Sequence, residues 1–98
     1  MTTARRSTFL VERYLPSPAQ ASLAASVARV VQACAKSGCD GREVRYLHST
    51  YLPAEELCFC VFQGPSSAAV QAVNDAAHFA LDRITDAVPM YPPSRRLT

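Results

Sequence analysis

The sequence predicts an α+β domain in which a four-stranded antiparallel sheet carries both of its helices on one face. Three observations lead there. Two apolar runs, residues 44–52 and 57–62, flank the polar stretch Pro53-Ala54-Glu55-Glu56 and read as a β-hairpin. A segment with apolar residues at helical spacing stands on each side of that hairpin. A further strand-like run lies at each outer end, so the order is β-α-β-β-α-β.

The first strand is Thr8-Phe9-Leu10-Val11-Glu12-Arg13-Tyr14, ended by Leu15-Pro16. Ser17 is the expected N-cap of the first helix, with Pro18 at the first helical position and Gln20 three residues after the cap. That helix is expected to run to about Ser37, with Leu23, Val27, Val30, Val31 and Cys34 on its apolar face and Gly38 as its stop. Cys39-Asp40-Gly41 is a loop. After the hairpin, Gly64-Pro65 ends the strand and Ser66 caps a second helix whose stripe is Val70, Val73, Ala77 and Leu81. Residues 82–88 read as an edge strand. Two split βαβ units joined in this way give the ferredoxin-like fold. Residues 8–91 form the domain, between a disordered N-terminal tail (1–7) and a Pro/Arg tail (92–98).

Ninety-eight residues make one domain. No run of 18 apolar residues is present to span a membrane. The start, Met1-Thr2-Thr3-Ala4-Arg5-Arg6-Ser7, lacks the apolar core of a secretory signal, which points to the cytoplasm and to free thiols. The four cysteines contain no C-x-x-C motif, and Cys58 and Cys60, two apart on a strand, are poorly placed for a disulfide. Net charge is +2, but Arg5, Arg6, Arg95 and Arg96 lie in the tails and residues 8–91 carry −2. Without a basic face interleaved with aromatics, nucleic acid is not an expected partner.

The sheet strands are apolar on both parities. Phe9, Val11, Phe59 and Val61 form the odd-numbered set, and Leu10, Tyr14, Cys58, Cys60 and Phe62 the set taken as its opposite. A sheet face left bare by the helices and still apolar calls for a partner, and a homodimer packed sheet to sheet is the economical one.

His48 is the leading candidate for chemistry, because imidazole is the commonest metal ligand and suits nickel, copper and zinc. A strand histidine that packs and makes one hydrogen bond is the plainer alternative. Cys60 and Cys58 offer soft thiolates but are equally well read as small buried hydrophobes. Glu12, mid-strand among apolar neighbours, is either a ligand or general base, or is paired with an arginine such as Arg45, Arg83 or the partner subunit's Arg13. If the registers are regular, His48, Cys60 and Glu12 converge on the barrel-like face near a dimer axis. A weaker set adds Cys58 and the helix-end pair His78 and Asp75, three residues apart. Cys34 belongs to the core and Cys39 to an exposed loop. No nucleophile elbow, phosphate loop or paired carboxylates occur, so no catalytic residue is assigned.

The chain resembles a family of small bacterial ferredoxin-like proteins known as DUF4242, whose members include nickel-binding, nickel-responsive proteins. The resemblance spans roughly residues 9–88. Its marks are Phe9-Leu10-Val11-Glu12-Arg13 followed by Leu15-Pro16, then Leu47-His48-Ser49 with Tyr51, then Cys60-Val61-Phe62 with Pro65, and last Asp82-Arg83-Ile84. His78 stands where the family usually has Gly, Gln63 where an acidic residue is common, and the 37–43 loop is longer. The resemblance implies a homodimer related to the dimeric α+β barrels and the binding of nickel. The resulting expectation is a homodimeric protein that binds nickel or another divalent transition metal for sequestration or sensing. The alternatives are a small-molecule binder or enzyme using a pocket between sheets, and an interaction module without a ligand.

Overall fold

The computed structural model describes residues 6–41 and 43–93. The outer parts of both tails named above lie outside the described residues. The chain order is β1 (Ser7–Tyr14), α1 (Ser17–Gln20), α2 (Leu23–Ala35), β2 (Arg45–Leu52), β3 (Leu57–Gly64), α3 (Ser67–Ala76) and β4 (Arg83–Ala87). The strands form one antiparallel sheet in the order β2-β3-β1-β4. This is the α+β, ferredoxin-like arrangement that the sequence predicts.

The expected first helix is two pieces. The Ser22 hydroxyl donates to Ala19 O at 3.1 Å, and this local bond competes with the helical ladder, so the chain turns at Ala21-Ser22 before α2 begins. Ser17 is not the cap. Pro16 holds that position without a side-chain bond. The start of α1 is instead held from the hairpin turn, where the Glu56 carboxylate accepts from Ser17 N at 2.9 Å and from the Tyr14 hydroxyl at 2.9 Å. Ser66 caps α3 as expected, accepting from Ala69 N at 3.1 Å. Gly38 has φ +70 at the end of α2, the left-handed backbone that a Cβ disfavours.

The core lies between the sheet and the helices. Phe9 and Val11 of β1 and Cys58, Cys60 and Phe62 of β3 face Val30 and Cys34 of α2 and Val70 and Val73 of α3. Val31 is not in that stripe and is exposed. The register explains a further correction. Phe9 opposes Phe62 and Val11 opposes Cys60, so odd positions of β1 share a face with even positions of β3. The two parity sets read from the sequence are therefore mixed. Phe9, Val11, Cys58, Cys60 and Phe62 face the helices, and Leu10, Phe59 and Val61 lie on the bare face.

Candidate functional site

Two polar constellations stand on opposite sides of the sheet. On the bare face, β2 carries a bulge. Tyr46 opposes Phe62, but His48 opposes Val61, so Leu47 is an extra residue. The bulge puts the exposed His48 on the bare face. There it joins Thr8, Leu47 and Val61 in a groove of about 340 Å³ whose other wall is residues 87–91. Val88, Met90 and Tyr91 of that wall are 81%, 84% and 77% exposed, so apolar side chains project from its rim.

Glu12 shares this face. Its Oε1 accepts from Arg83 Nη2 at 3.2 Å, one of the pairings expected for it. His48 and Glu12 are two strands apart and offset by two residues, which places their backbones about 12 Å apart by standard strand spacings. Cys60 is on the other face. The expected convergence of His48, Cys60 and Glu12 therefore does not occur within one chain, and the physical reason is register. Glu12 opposes Phe59 rather than Cys60, and the bulge moves His48 off Cys60. Among the described residues, no group of three or more His, Cys, Asp and Glu side chains is placed to hold a metal ion. Asp75 and His78 do come together, at a shallow surface depression of about 370 Å³ with Asn74, Phe79 and Ala80. The His78 N–H donates to Asp75 O at 3.0 Å, while the Asp75 carboxylate accepts from Gln71 Nε2 at 2.8 Å. His78 has φ 55, as its left-handed position requires.

The second constellation lies under the helices. Arg13 is 1% exposed. Its Nη1 donates to Phe79 O at 3.0 Å and Ala80 O at 3.1 Å, and its Nη2 donates to Asn74 Oδ1 at 2.9 Å and Cys60 Sγ at 3.5 Å. The guanidinium carbon sits 3.6 Å above the centre of the Phe79 ring, a cation–π contact made strong by burial. Asn74, itself fully buried, is anchored by donating to Val70 O at 2.8 Å. Cys60 Sγ also accepts from Ser49 Oγ at 2.8 Å and lies 3.8 Å from Cys58 Sγ. Ser49 in turn is bonded to the Tyr46 hydroxyl at 2.8 Å.

The electrostatics of the two thiols diverge. The hydrogen bond from Cys58 lowers the Cys60 thiol below its ordinary value, helped by Ser49 and by the Arg13 charge and opposed by burial. The same bond raises Cys58, as does burial. Burial pushes the Cys34 thiol up to about 11, against a backbone hydrogen bond from Tyr46 that lowers it. All four cysteines are free thiols. Arg13, one of the arginines that the sequence offers as a pairing for Glu12 across a dimer, is instead buried in the core, although the signal for burial is present. Phe9, Val11 and Arg13 alternate on one strand, and two core residues at that period put the third side chain in the core as well.

A family model described as nickel responsive protein SCO4226-like matches residues 9–86. The chain belongs to that family. Among solved structures, the crystal structure of SCO4226 from Streptomyces coelicolor A3(2) superposes with a TM-score of 0.57 at 23% identity, covering 88% of this chain and 100% of that one. That likeness supports the fold. No curated protein matches the chain. Family membership gives the protein a metal-related function at the level that the family's description carries. No helix among the described residues is long and apolar enough to cross a membrane.

Proposed function

We propose that the protein is a homodimeric, cytoplasmic metal-binding protein that takes nickel or another divalent transition metal through His48 and serves in sequestration or sensing. The reading includes membership of the DUF4242 family. The observation that carries it is the location of His48. The bulge at Leu47 turns this imidazole onto the bare sheet face, into a groove that joins all four strands to the segment after β4. Nickel needs more donors than one histidine offers. A second protomer packed on this face brings a second His48, and Glu12 is the carboxylate nearest to hand on the same face.

The apolar side chains of that face support the dimer. Leu10, Phe59 and Val61 are only half-buried in one chain, and Val88, Met90 and Tyr91 project from the rim. Covering such a surface is worth roughly 25 cal/mol per Å², and a stable dimer buries about 1,200–2,000 Å² in total. A second reading uses the same groove for a small organic molecule. Its volume of about 340 Å³ lies at the small end of ligand pockets, at roughly 300–1,000 Å³.

Calorimetric titration of the protein and of His48→Ala with nickel tests the reading, together with light scattering for mass. Tight binding by the protein, lost or weakened at least tenfold in His48→Ala, is the expected result. Equal affinity in both removes His48 as a ligand and moves the site to His78 and Asp75. A monomer at micromolar concentration removes the shared site.

A further inference from the structure

We propose that Cys58 and Cys60 form a second, buried metal site that takes one soft monovalent d10 cation, Cu(I) or Ag(I), with Arg13 as its fixed counter-charge. The site lies on the opposite side of the sheet from His48 and does not depend on the reading above.

The argument begins with charge. Arg13 is permanently cationic and almost wholly buried. Its oxygen partners are the carbonyls of Phe79 and Ala80 and the amide of Asn74, all neutral, and no carboxylate is among them. A buried cation left unbalanced costs several kcal/mol. Cys60 Sγ, at 3.5 Å, is the one partner that can become an anion.

Arg13 Nη2 and Ser49 Oγ, the latter at 2.8 Å, both donate to that sulfur, and Cys58 Sγ lies 3.8 Å away, where either sulfur can be the donor. A neutral thiol is a weak acceptor and is badly matched to a guanidinium and a hydroxyl together, whereas a thiolate suits them. With Cys60 as that thiolate the S–H of Cys58 turns to it, and the pair is two sulfurs sharing one proton, with net charge −1 beside a guanidinium of charge +1.

A monovalent cation can replace that proton without disturbing the balance. The Cys58 S–H bond breaks, its proton leaves to solvent, and the metal ion binds both sulfurs as S–M–S. Two thiolates and one monovalent ion again carry −1, and nothing is oxidised or reduced. Thiolates suit Cu(I), zinc and iron–sulfur clusters, and of these Cu(I) alone is a single monovalent ion content with two ligands. A divalent ion would leave an uncompensated positive charge in the core and would find only two ligands. The sulfurs are 3.8 Å apart on adjacent same-face positions of β3, and a small rotamer adjustment opens them to span an ion. Access is one side chain deep, because Ser49 and Tyr51, the cross-strand neighbours of Cys60 and Cys58, are half-buried on the edge strand β2.

The test is anaerobic titration of full-length Cys39→Ser protein, which lacks the exposed loop thiol, with Cu(I) supplied as its bicinchoninate complex. The expected result is one Cu(I) bound and one proton released per chain, with sulfur-only coordination by two donors in X-ray absorption. Uptake falls at least a hundredfold in Cys60→Ser and in Cys58→Ser and is unchanged in His48→Ala. An equimolar addition of nickel or zinc leaves the copper in place. Should the serine variants fold poorly, the coordination number and the proton count of the Cys39→Ser protein still decide. No uptake, nitrogen or oxygen donors at the copper, no proton release, or displacement by equimolar zinc would each overturn the proposal. Equally, loss of nickel binding in His48→Ala with intact Cu(I) uptake separates the two sites.

Discussion

His48 and Cys60 lie on opposite faces of the sheet because of one extra residue, Leu47. Before the bulge, Tyr46 opposes Phe62. Continued without interruption, that register would set His48 directly opposite Cys60, with both side chains under the helices. The bulge advances β2 by one position, so Ser49 opposes Cys60 and His48 opposes Val61. The imidazole gains a solvent-facing groove, and the thiol gains a hydroxyl donor in its place. One backbone irregularity thus gives each face its own chemistry.

The bare face should hold a dimer that can be broken without unfolding the chain. Val61 sits at its centre, between His48 on β2 and Leu10 on β1. Val61→Glu in each protomer sets like charges against one another in an apolar contact. The expected outcome is half the mass by light scattering with an unchanged far-ultraviolet circular dichroism spectrum. A variant that stays dimeric places the interface elsewhere.

Arg13 should be among the costliest single positions. Arg13→Ala strands the Asn74 amide oxygen and the carbonyls of Phe79 and Ala80 and removes the counter-charge of Cys60. Breaking a buried charged network of this kind costs about 3–5 kcal/mol. Arg13→Lys should recover little, because an ammonium lacks the planar fork that reaches both Phe79 and Asn74 and its fit over the Phe79 ring. Urea denaturation of the three proteins measures both effects. A loss under about 1 kcal/mol in Arg13→Ala would mean that the network contributes little net stability.

These residues also show what the sequence discloses. The hairpin, the Ser66 cap and the Gly38 stop rest on local chemistry, and each is where local rules place it. Faces across strands are a different matter. The relation of Glu12 to Cys60 depends on which residues of β1 and β3 oppose one another, and that of His48 on a bulge, and both are set by tertiary pairing. The break at Ala21-Ser22 escapes periodicity because the apolar spacing continues through it. Arg13 was legible from alternation alone, but a charged residue in a core stripe is readily assigned to the surface.

Glu56 should make the protein lose stability on acidification. Its carboxylate is held below its ordinary value of 4.5, first by the Ser17 backbone N–H and then by the Tyr14 hydroxyl. A carboxyl whose value is lowered by folding contributes stability above its unfolded value and loses it as pH falls through the folded one. The melting temperature of the protein should therefore drop below about pH 4.5 more steeply than that of Glu56→Gln. The amide keeps the size of the side chain but has no charge to lose. Parallel curves for the two proteins would assign the acid sensitivity to other groups.

The substitution His78→Gly tests strain and metal binding together. His78 follows α3 with φ 55, and a left-handed residue bearing a Cβ costs roughly 1–2 kcal/mol. Glycine removes that cost but widens the unfolded ensemble by about 0.4–1 kcal/mol, so a net gain of up to about 1.5 kcal/mol is expected. In a chain of this size that raises the melting temperature by a few degrees. The side chain is exposed, and its N–H bond to Asp75 O is a backbone bond that glycine keeps. Nickel affinity should be unchanged, because the proposed ligand is on the far side of the sheet. A stabilised variant that binds nickel as the parent does supports His48. A stabilised variant with weakened binding would place the metal at the shallow depression where Asp75 and His78 meet.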